Sequence, residues 1–314
     1  MRKIAIIIVC IIFTFLLNDI NLLFAQPGPS FSVSYDFFPY SNLADPESDD
    51  QAIRQLLEDL EIRVATLRLK VSYPVALSKE TFLMHEILFD RFDMDYKNWN
   101  DPLGNKIEHG YAVKYNFMLR QVLSEKWYFM AFITPGLASD FKAKLSTDDL
   151  SFEAAVVFVR QYSQKFALGF GAAYSRQFGE PFPVPVLAID WNNGSNMRMN
   201  AIIPSSLQFW YMMSPRIELG LVMSGDGNMY HGDEKIYGGS KPRMRYSVIT
   251  AGPSLKFRLI QWLSLNIDGG YAFLRRFEFT NEDVIVNDVN IGDTKAKYDL
   301  KNAAFIRAAL QIGG

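Results

Sequence analysis

Apolar and polar side chains alternate residue by residue through most of the chain after residue 30. Between residues 111 and 120, bulky apolar residues occupy the odd positions and mostly small or polar residues the even ones, with Met118 as the exception. Successive side chains of a β-strand point to opposite faces, so this pattern predicts a strand with one apolar and one polar face. Similar segments recur at residues 31–37, 67–73, 166–175, 217–224, 263–273 and 304–312. Patterns with helical spacing are rare, and the sequence therefore predicts an all-β protein.

Short and long connections alternate between these strands. Turn-like links occur at residues 74–79, 124–126, 163–165, 192–195, 214–216 and 259–261, and longer polar links at 40–59, 95–106, 139–149, 177–183, 228–242 and 278–300. Short turns at one rim and long loops at the other are typical of outer-membrane barrels. We therefore predict a closed antiparallel transmembrane β-barrel of about fourteen strands, with short periplasmic turns and long extracellular loops. Without a tight hairpin at Ile203-Pro204-Ser205, the prediction falls to about twelve strands. That is still an even number, as such barrels usually have.

The first 25 residues have the three parts of a secretory signal peptide. Arg2 and Lys3 precede an apolar run from Ile4 to Leu17, and Ala25 supplies a small residue at the expected cleavage position. The apolar run is short against the roughly 20 residues that a membrane-spanning helix needs. We expect cleavage after Ala25, export, and a single barrel domain over residues 26–314. The one cysteine, Cys10, leaves with the signal, which excludes disulfides and cysteine metal sites from the mature chain.

Composition and side-chain size indicate which face of the strands is inside. Aromatic residues make up 14% of the chain and charged residues 21%, and the net charge of −2 does not favour a nucleic-acid partner. The second face of the segment 166–175 consists of Ala167, Gly169, Gly171, Ala173 and Ser175. A face of such small residues predicts a crowded, concave interior, whereas a solvent face usually carries long polar side chains. We therefore place the apolar face against lipid and the polar face in the lumen. A secreted β-sandwich with an aromatic core is the alternative.

Aromatic residues gather near the strand ends, where the two aromatic girdles of a membrane barrel are expected. The candidates are Phe37, Phe38, Tyr40, Trp127, Tyr128, Trp210, Tyr211 and Trp262. Four prolines (Pro135, Pro183, Pro185 and Pro204) lie at strand ends or beside loops, where a missing N–H costs least. Pro253 lies inside a strongly patterned strand, so a bulge or a defect in the hydrogen-bond ladder is expected there.

Three segments resemble a known family. They are "SYPVALSKETFL" at residues 72–83, "ITPGLASDF" at residues 133–141, and "AIIPSSLQFWY" at residues 201–211 followed by a short turn. With them, the chain is similar over its whole mature length to uncharacterised outer-membrane β-barrels of Gram-negative bacteria that are grouped as a domain of unknown function. The resemblance implies a porin-like barrel in the outer membrane, and it implies no activity or functional residue.

The second face of several predicted strands carries charged or amide side chains, which makes these residues candidates for the lining of the lumen. They are Arg68, Lys70, Lys114, Asn116, Arg120, Glu218, Lys256, Arg258, Asp268 and Arg307. One interpretation is a selectivity lining for small anions or polar solutes. The other is a set of internal ion pairs that stiffens the wall. Eight-stranded barrels are filled and 16-stranded ones hold a channel, so the predicted width does not decide between them.

The sequence contains no convincing catalytic constellation. Its three histidines are His85 and His109, near opposite ends of one predicted strand pair, and His231, in a predicted long loop. The acidic segment 44–50 lacks the ligand spacing of a calcium-binding loop, so we expect no metal site and no cofactor there. The glycine-rich segment 224–243 follows a strand but precedes no helix, so we interpret it as a mobile extracellular loop rather than a phosphate-binding one.

Three functions are consistent with these patterns. The first is a channel or solute-binding barrel with a polar lumen, in contact with outer-membrane lipid and lipopolysaccharide and passing small polar solutes. The second is a membrane-embedded lipid-modifying enzyme that uses His85 or His109. The third is a structural or adhesive barrel that binds partners through loops such as residues 228–242. The patterns predict no solute, and the oligomeric state stays open.

Overall fold

The chain folds into one closed antiparallel β-barrel. The computed structural model describes residues 28–44, 55, 57–98, 108–142, 144–175, 182–232, 241–282, 285–286, 289–290 and 294–313. The predicted signal peptide and most of the acidic segment 44–50 lie outside these residues. In the predicted loop after the first strand, Gln55, Leu57 and Glu58 have helical conformation. No helix in the described ranges has the length and apolar character needed to cross a membrane.

Thirteen continuous strands and one interrupted strand form the wall. The continuous strands are β1 Ser30–Asn42, β2 Glu61–Ala76, β3 Thr81–Lys97, β4 His109–Val122, β5 Trp127–Ser139, β6 Leu150–Ser163, β7 Phe166–Ser175, β8 Phe182–Asn192, β9 Met197–Ile203, β10 Ser206–Ser214, β11 Ile217–His231, β12 Lys241–Ile260 and β13 Leu263–Glu282. A two-residue hairpin, β14 Ile285–Val286 with β15 Val289–Asn290, follows. The last wall strand comes in two parts, β16 Thr294–Leu300 and β17 Ala303–Gly313, which both pair with β13.

Neighbouring strands pair in sequence order from β1 to β13, and β17 lies between β13 and β1 to close the sheet. The predicted barrel of fourteen strands is therefore confirmed, and so is the hairpin at Ile203-Pro204-Ser205, which joins β9 to β10. The strands extend further into the predicted long loops than the sequence pattern indicated. Most clearly, residues 224–231 of the predicted glycine-rich loop belong to β11, and β12 begins at Lys241. Backbone pairing between β11 and β12 continues to His231 and Arg243, which explains the extension.

The alternating pattern produces two different faces. Val113 and Tyr115 of β4 point outward and remain 41% and 40% exposed. Between them, the ammonium group of Lys114 points inward and lies 3.2 Å from a carboxylate oxygen of Glu153 on β6. Three predicted girdle residues are on the inner face instead. Phe38 and Trp210 are buried, and Tyr128 lies under the guanidinium group of Arg120 at 4.5 Å.

At Pro253 the structure shows the expected defect in the hydrogen-bond ladder, without a bulge. The β12–β13 ladder keeps one register from Ala251–Tyr271 to Ser254–Asp268, although the two residue pairs between them are missing from the ladder. The defect is therefore local. Glycines face this point on the partner strand, and a Cβ atom on Gly252 would overlap the carbonyl oxygen of Gly269. The close backbone approach keeps the register despite the missing proline N–H.

The small inner face of β7 is required by its contact with β6. A Cβ atom at Gly171 would overlap the carbonyl oxygen of Val156, which is backbone and cannot rotate away. We expect Gly171→Ala to destabilise the barrel by at least about 1–3 kcal/mol, the usual cost of overpacking. Gly269→Ala is the control, because a Cβ atom there meets its nearest neighbour at 3.7 Å. Urea unfolding in lipid vesicles measures both changes, and an equal loss of stability in the two variants would contradict this explanation.

Candidate functional site

The barrel interior contains a network of buried ion pairs at mid-height. Arg68 Nε lies 2.7 Å from Asp90 Oδ1 on the neighbouring strand, and Arg68 Nη2 lies 2.6 Å from Asp226 Oδ2 on β11. Strands β2 and β11 are not neighbours in the sheet, so the second ion pair crosses the interior. On the adjoining wall, Arg307 binds both carboxylate oxygens of Asp36, at 2.7 and 2.8 Å.

Asp268 completes this central ion network. Its carboxylate lies 3.8 Å from Arg307 and also accepts hydrogen bonds from Ser254 and Asn266. Asp36, Asp90 and Asp268 are each only 4% exposed. Buried carboxylates require paired charges or hydrogen bonds, and these have both. The network joins β1, β2, β3, β11, β13 and β17, and it holds the middle of the barrel together.

Further inward-facing charges are paired nearer the short-turn rim and along the opposite wall. Glu86 contacts Lys70 at 3.6 Å and accepts a hydrogen bond from Asn116 at 2.7 Å. Lys114 pairs with Glu153, and Glu218 pairs with Arg198 at 2.6 Å. Lys256 lies opposite Glu218 in the β11–β12 ladder, while Arg120 and Arg258 are exposed.

The structure therefore brings most of the ten predicted lumen residues into contact with partners that the sequence analysis missed. These partners are Asp36, Glu86, Asp90, Glu153, Arg198 and Asp226. The alternation of inward and outward positions along each strand could have identified several of them. Asp36 lies between Tyr35 and Phe37 in an alternating segment, so it points to the opposite face from them. Glu86 and Asp90 occupy the positions of β3 that point to the same face of the sheet as Arg68 and Lys70 of β2. Asp226 was hidden because its segment was interpreted as a loop.

An apolar plug fills the interior between the ion network and the long-loop rim. It consists of Phe38, Phe92, Tyr230, Met244, Tyr246 and Phe277, all of them buried. The ring of Phe92 lies 5.3 Å from that of Tyr230 and 5.1 Å from that of Tyr246. Tyr230 also packs flat against β4, where a Cβ atom at Gly110 would come within 2.6 Å of the tyrosine ring. The plug leaves this part of the barrel densely packed along its axis.

Strand β11 bends across the barrel at the level of the plug. Its ladder with β10 ends at the pair Ser206–Ser224, and its end at His231 forms a parallel bridge to Ser139 of β5. The carbonyl oxygen of His231 accepts hydrogen bonds from the backbone N–H of Asp140 at 3.0 Å and from the hydroxyl group of Ser139 at 3.1 Å. His231 is thus a buried strand residue, not the loop residue predicted. The crossing divides the upper interior into the plugged part and a side lobe formed by β5–β8.

The side lobe contains an apolar cavity of about 460 Å³. Small and aliphatic side chains line most of it, which follows from the small inner face of β7. The main lining residues are Phe132, Ala155, Val157, Ala173, Val184, Val186 and Ile202, with Thr134, Glu153 and Ser205 as polar members. We call this space the side cavity.

The histidines do not assemble into one site. His85 Nδ1 lies 2.5 Å from the hydroxyl group of Tyr115, and His109 Nδ1 lies 2.6 Å from Asp93 Oδ1. Because Asp93 is opposite His109 in the ladder, the two histidines are eight steps apart along β3. That corresponds to about 26 Å. In the part of the chain that the structure describes, no group of three or more His, Cys, Asp or Glu residues could hold a metal ion.

The chain is similar to several solved structures at low sequence identity and low TM-score. The outer membrane channel from Pseudomonas putida F1 is 10% identical with a TM-score of 0.44, and the match covers 94% of this chain and 100% of that one. The Pseudomonas putida toluene transporter TodX is 12% identical with a TM-score of 0.35, covering 95% and 92%. A Pseudomonas aeruginosa FadL homologue is 8% identical with a TM-score of 0.38, covering 91% and 90%. At these values, the similarities carry no information about a solute.

No curated protein sequence matches the chain. A family model does, over residues 21–313, and this range includes every strand described above. It also includes the three segments that carry the resemblance noted in the sequence. The chain belongs to the family described as Domain of unknown function (DUF6268).

Proposed function

We propose that this protein is an outer-membrane uptake barrel for small apolar solutes, which it binds in the side cavity. The volume of the cavity carries the proposal. Ligand-binding pockets typically have volumes of about 300–1,000 Å³ and mostly apolar walls with a few polar groups. The side cavity has about 460 Å³ and such a wall.

The plug and the ion network favour this proposal over an aqueous pore along the barrel axis. Val64, Met244, Tyr230 and Phe277 are each at most 1% exposed, so the space around them is filled by protein. The inward charges are largely neutralised by one another. We therefore assign the paired members of the predicted lumen set to stabilising the barrel interior. Arg120, Lys256 and Arg258 lie toward the short-turn rim, where they remain candidates for contact with a polar solute.

The proposal also includes the cellular setting expected from the sequence. The signal at residues 1–25 directs export and is cleaved after Ala25, and the mature domain lies among the lipids and lipopolysaccharide of the outer membrane. No residue is assigned a catalytic role.

Filling the side cavity should abolish solute binding. We expect the double variant Ala155→Phe/Ala173→Phe to bind the apolar probe N-phenyl-1-naphthylamine at least tenfold more weakly, because both side chains line the cavity. The probe is titrated into lipid nanodiscs that contain the protein, and energy transfer from tryptophan reports binding. Empty nanodiscs supply the background from probe dissolved in lipid.

Ala309→Phe is the matched control for this titration. Ala309 lies on the inner face of β17, opposite Asn266, and does not line the cavity. We expect this variant to bind the probe like the unmodified protein. The proposal fails if the unmodified protein shows no saturable binding, or if the cavity-filled variant binds as well as Ala309→Phe.

A further inference from the structure

We propose that the side cavity opens sideways through the barrel wall, so that its ligand exchanges directly with the outer leaflet of the membrane. The opening, which we call the window, lies between β8 and β11, on the long-loop side of the turn that joins β9 to β10. This inference rests on the proposed binding function and adds the route and the chemical class of the ligand.

Strands β9 and β10 end further from the long-loop rim of the barrel than the strands beside them. Strand β9 has 7 residues and β10 has 9, whereas β11 has 15 and β12 has 20. Above the β9–β10 turn, β8 and β11 face each other without an intervening strand. No ladder joins these two strands among the residues that the structure describes. The short hairpin therefore leaves a gap in the wall whose lower edge is formed by Pro204 and Ser205.

The sequence of β8 suits an open edge. Its ladder with β9 covers only Leu187–Asn192, and the five residues 182–186 lie beyond it. Two of those five, Pro183 and Pro185, have no N–H group. An unpaired N–H facing lipid is costly, and proline removes that cost, which is why prolines in sheets occur mainly at edges. These two prolines sit at the side of the window.

The side cavity reaches this gap. Pro204 and Ser205 belong to its lining, as does Gly225, whose N–H donates to the carbonyl oxygen of Ser205 at 2.8 Å. Gly225 and its ladder partner Ile249 occupy positions of β11 and β12 that would face outward in a regular barrel. They line the cavity because β11 bends inward above this point and turns its outer face toward the side lobe. The cavity is thus bounded partly by surface that would face lipid in a regular barrel.

The window lies at the height of the membrane's apolar region. Seven residues of a strand tilted by about 40° rise roughly 18 Å, and the apolar band of such barrels is about 25 Å tall. Leu187 on β8 and Leu221 on β11, beside the lower edge, point outward and are 40% and 59% exposed. Lipid chains therefore surround the lower edge of the window.

The lining selects an uncharged, hydrocarbon-like ligand. A charged molecule would have to leave water, cross lipid and enter a wall of alanine, valine and isoleucine side chains. The one carboxylate in the lining, Glu153, is already paired with Lys114. Hydrocarbon of this kind has two sources, a small solute dissolved in the bilayer or the acyl chain of a lipid. We infer the small solute, because the described residues of the lining include no cation that could hold a phosphate headgroup.

Narrowing the window should slow the exchange of ligand between the side cavity and the membrane. Ser205→Phe places a ring at the lower edge, where the serine is exposed. Ser195→Phe is the control, an equally exposed serine in the turn at the other end of β9. Nanodiscs loaded with N-phenyl-1-naphthylamine are mixed rapidly with excess empty vesicles, and the loss of energy transfer gives the release rate. We expect at least a fivefold slower release rate for Ser205→Phe than for Ser195→Phe. Because Ser205 also lines the side cavity, equilibrium titration of both variants checks that the slower release does not come from tighter binding.

The outcomes separate the window from the binding site. Equal release rates in Ser205→Phe and Ser195→Phe, with saturable binding intact, overturn the window alone. Absence of saturable binding in the unmodified protein overturns the proposed function as well. Competition by n-decane but not by a lysophospholipid supports the small-solute source, and competition by both supports an acyl chain. Competition by neither overturns the hydrocarbon class.

Discussion

Removing the Tyr230 and Met244 side chains is expected to convert a barrel that blocks ions into one that conducts them. Tyr230 is 1% exposed and Met244 is fully buried, and the two residues are opposite each other in the β11–β12 ladder. Together they fill the centre of the apolar plug. Replacing both by alanine removes the packing on Phe92 and opens space above the central ion network, whose polar groups can hold water. A continuous water path along the axis then allows ions to pass.

Planar-bilayer recording measures this change. We expect the unmodified protein to show no current steps above background, because a closed apolar constriction excludes water and ions. The double variant Tyr230→Ala/Met244→Ala should show discrete steps. Tyr271→Ala is the control, since Tyr271 lies on the outer face of β13 and is 65% exposed. Steps of the same size in the unmodified protein would show that the plug does not close the axis.

The stability cost of this double variant must be measured alongside its conductance. Truncating a large buried aromatic residue to alanine typically costs about 3–5 kcal/mol. Only protein that retains the electrophoretic mobility of the folded barrel before heating should therefore be used for recording. If the variant does not fold, Tyr230→Leu keeps much of the buried volume and removes the ring, and smaller steps are then expected.

Breaking the ion pair that crosses the barrel is expected to be the most destabilising single charge change. Arg68 holds Asp90, whose side chain is 5% exposed, and also Asp226. Arg68→Met leaves the carboxylate of Asp90 buried without its cation. Removing one partner of a buried pair typically costs about 3–5 kcal/mol. The variant also removes the ion pair between β2 and β11. Strand β11, which separates the plug from the side cavity, then lacks this contact across the barrel.

An exposed ion pair of the same length elsewhere in the chain allows a direct comparison. Arg63 Nη2 lies 2.6 Å from Asp95 Oδ2, the same distance as between Arg68 and Asp226, but these side chains are 41% and 48% exposed. Solvent weakens such a pair to about 0–1 kcal/mol. Denaturant unfolding in lipid vesicles should therefore separate Arg68→Met from Arg63→Met by several kcal/mol. Adding Asp90→Asn and Asp226→Asn to Arg68→Met should recover part of the loss. Equal losses in Arg63→Met and Arg68→Met would contradict the importance of burial here.

Local pattern was enough to predict the wall of the barrel. In β4 the alternation of Val113, Lys114 and Tyr115 indicates which side chains point outward, and the structure places them so. The hairpin at Pro204 was also predictable, because a proline between two alternating segments ends one strand and starts the next. Pattern was less reliable where glycine is frequent. Residues 224–231 resemble a loop in composition, yet they pair with β12.

The sequence by itself determined the all-β class, the count of about fourteen strands and the inward face of residues such as Arg68 and Lys114, because these depend on a period of two and on turn chemistry. Only the tertiary structure decided which inward faces meet. Arg68 and Asp226 are 158 residues apart and pair because β11 bends toward β5. The plug, the side cavity and the window all follow from that bend and from the low β9–β10 hairpin. Such features depend on how distant strands pack across the barrel, and alternation along one strand carries no information about that packing.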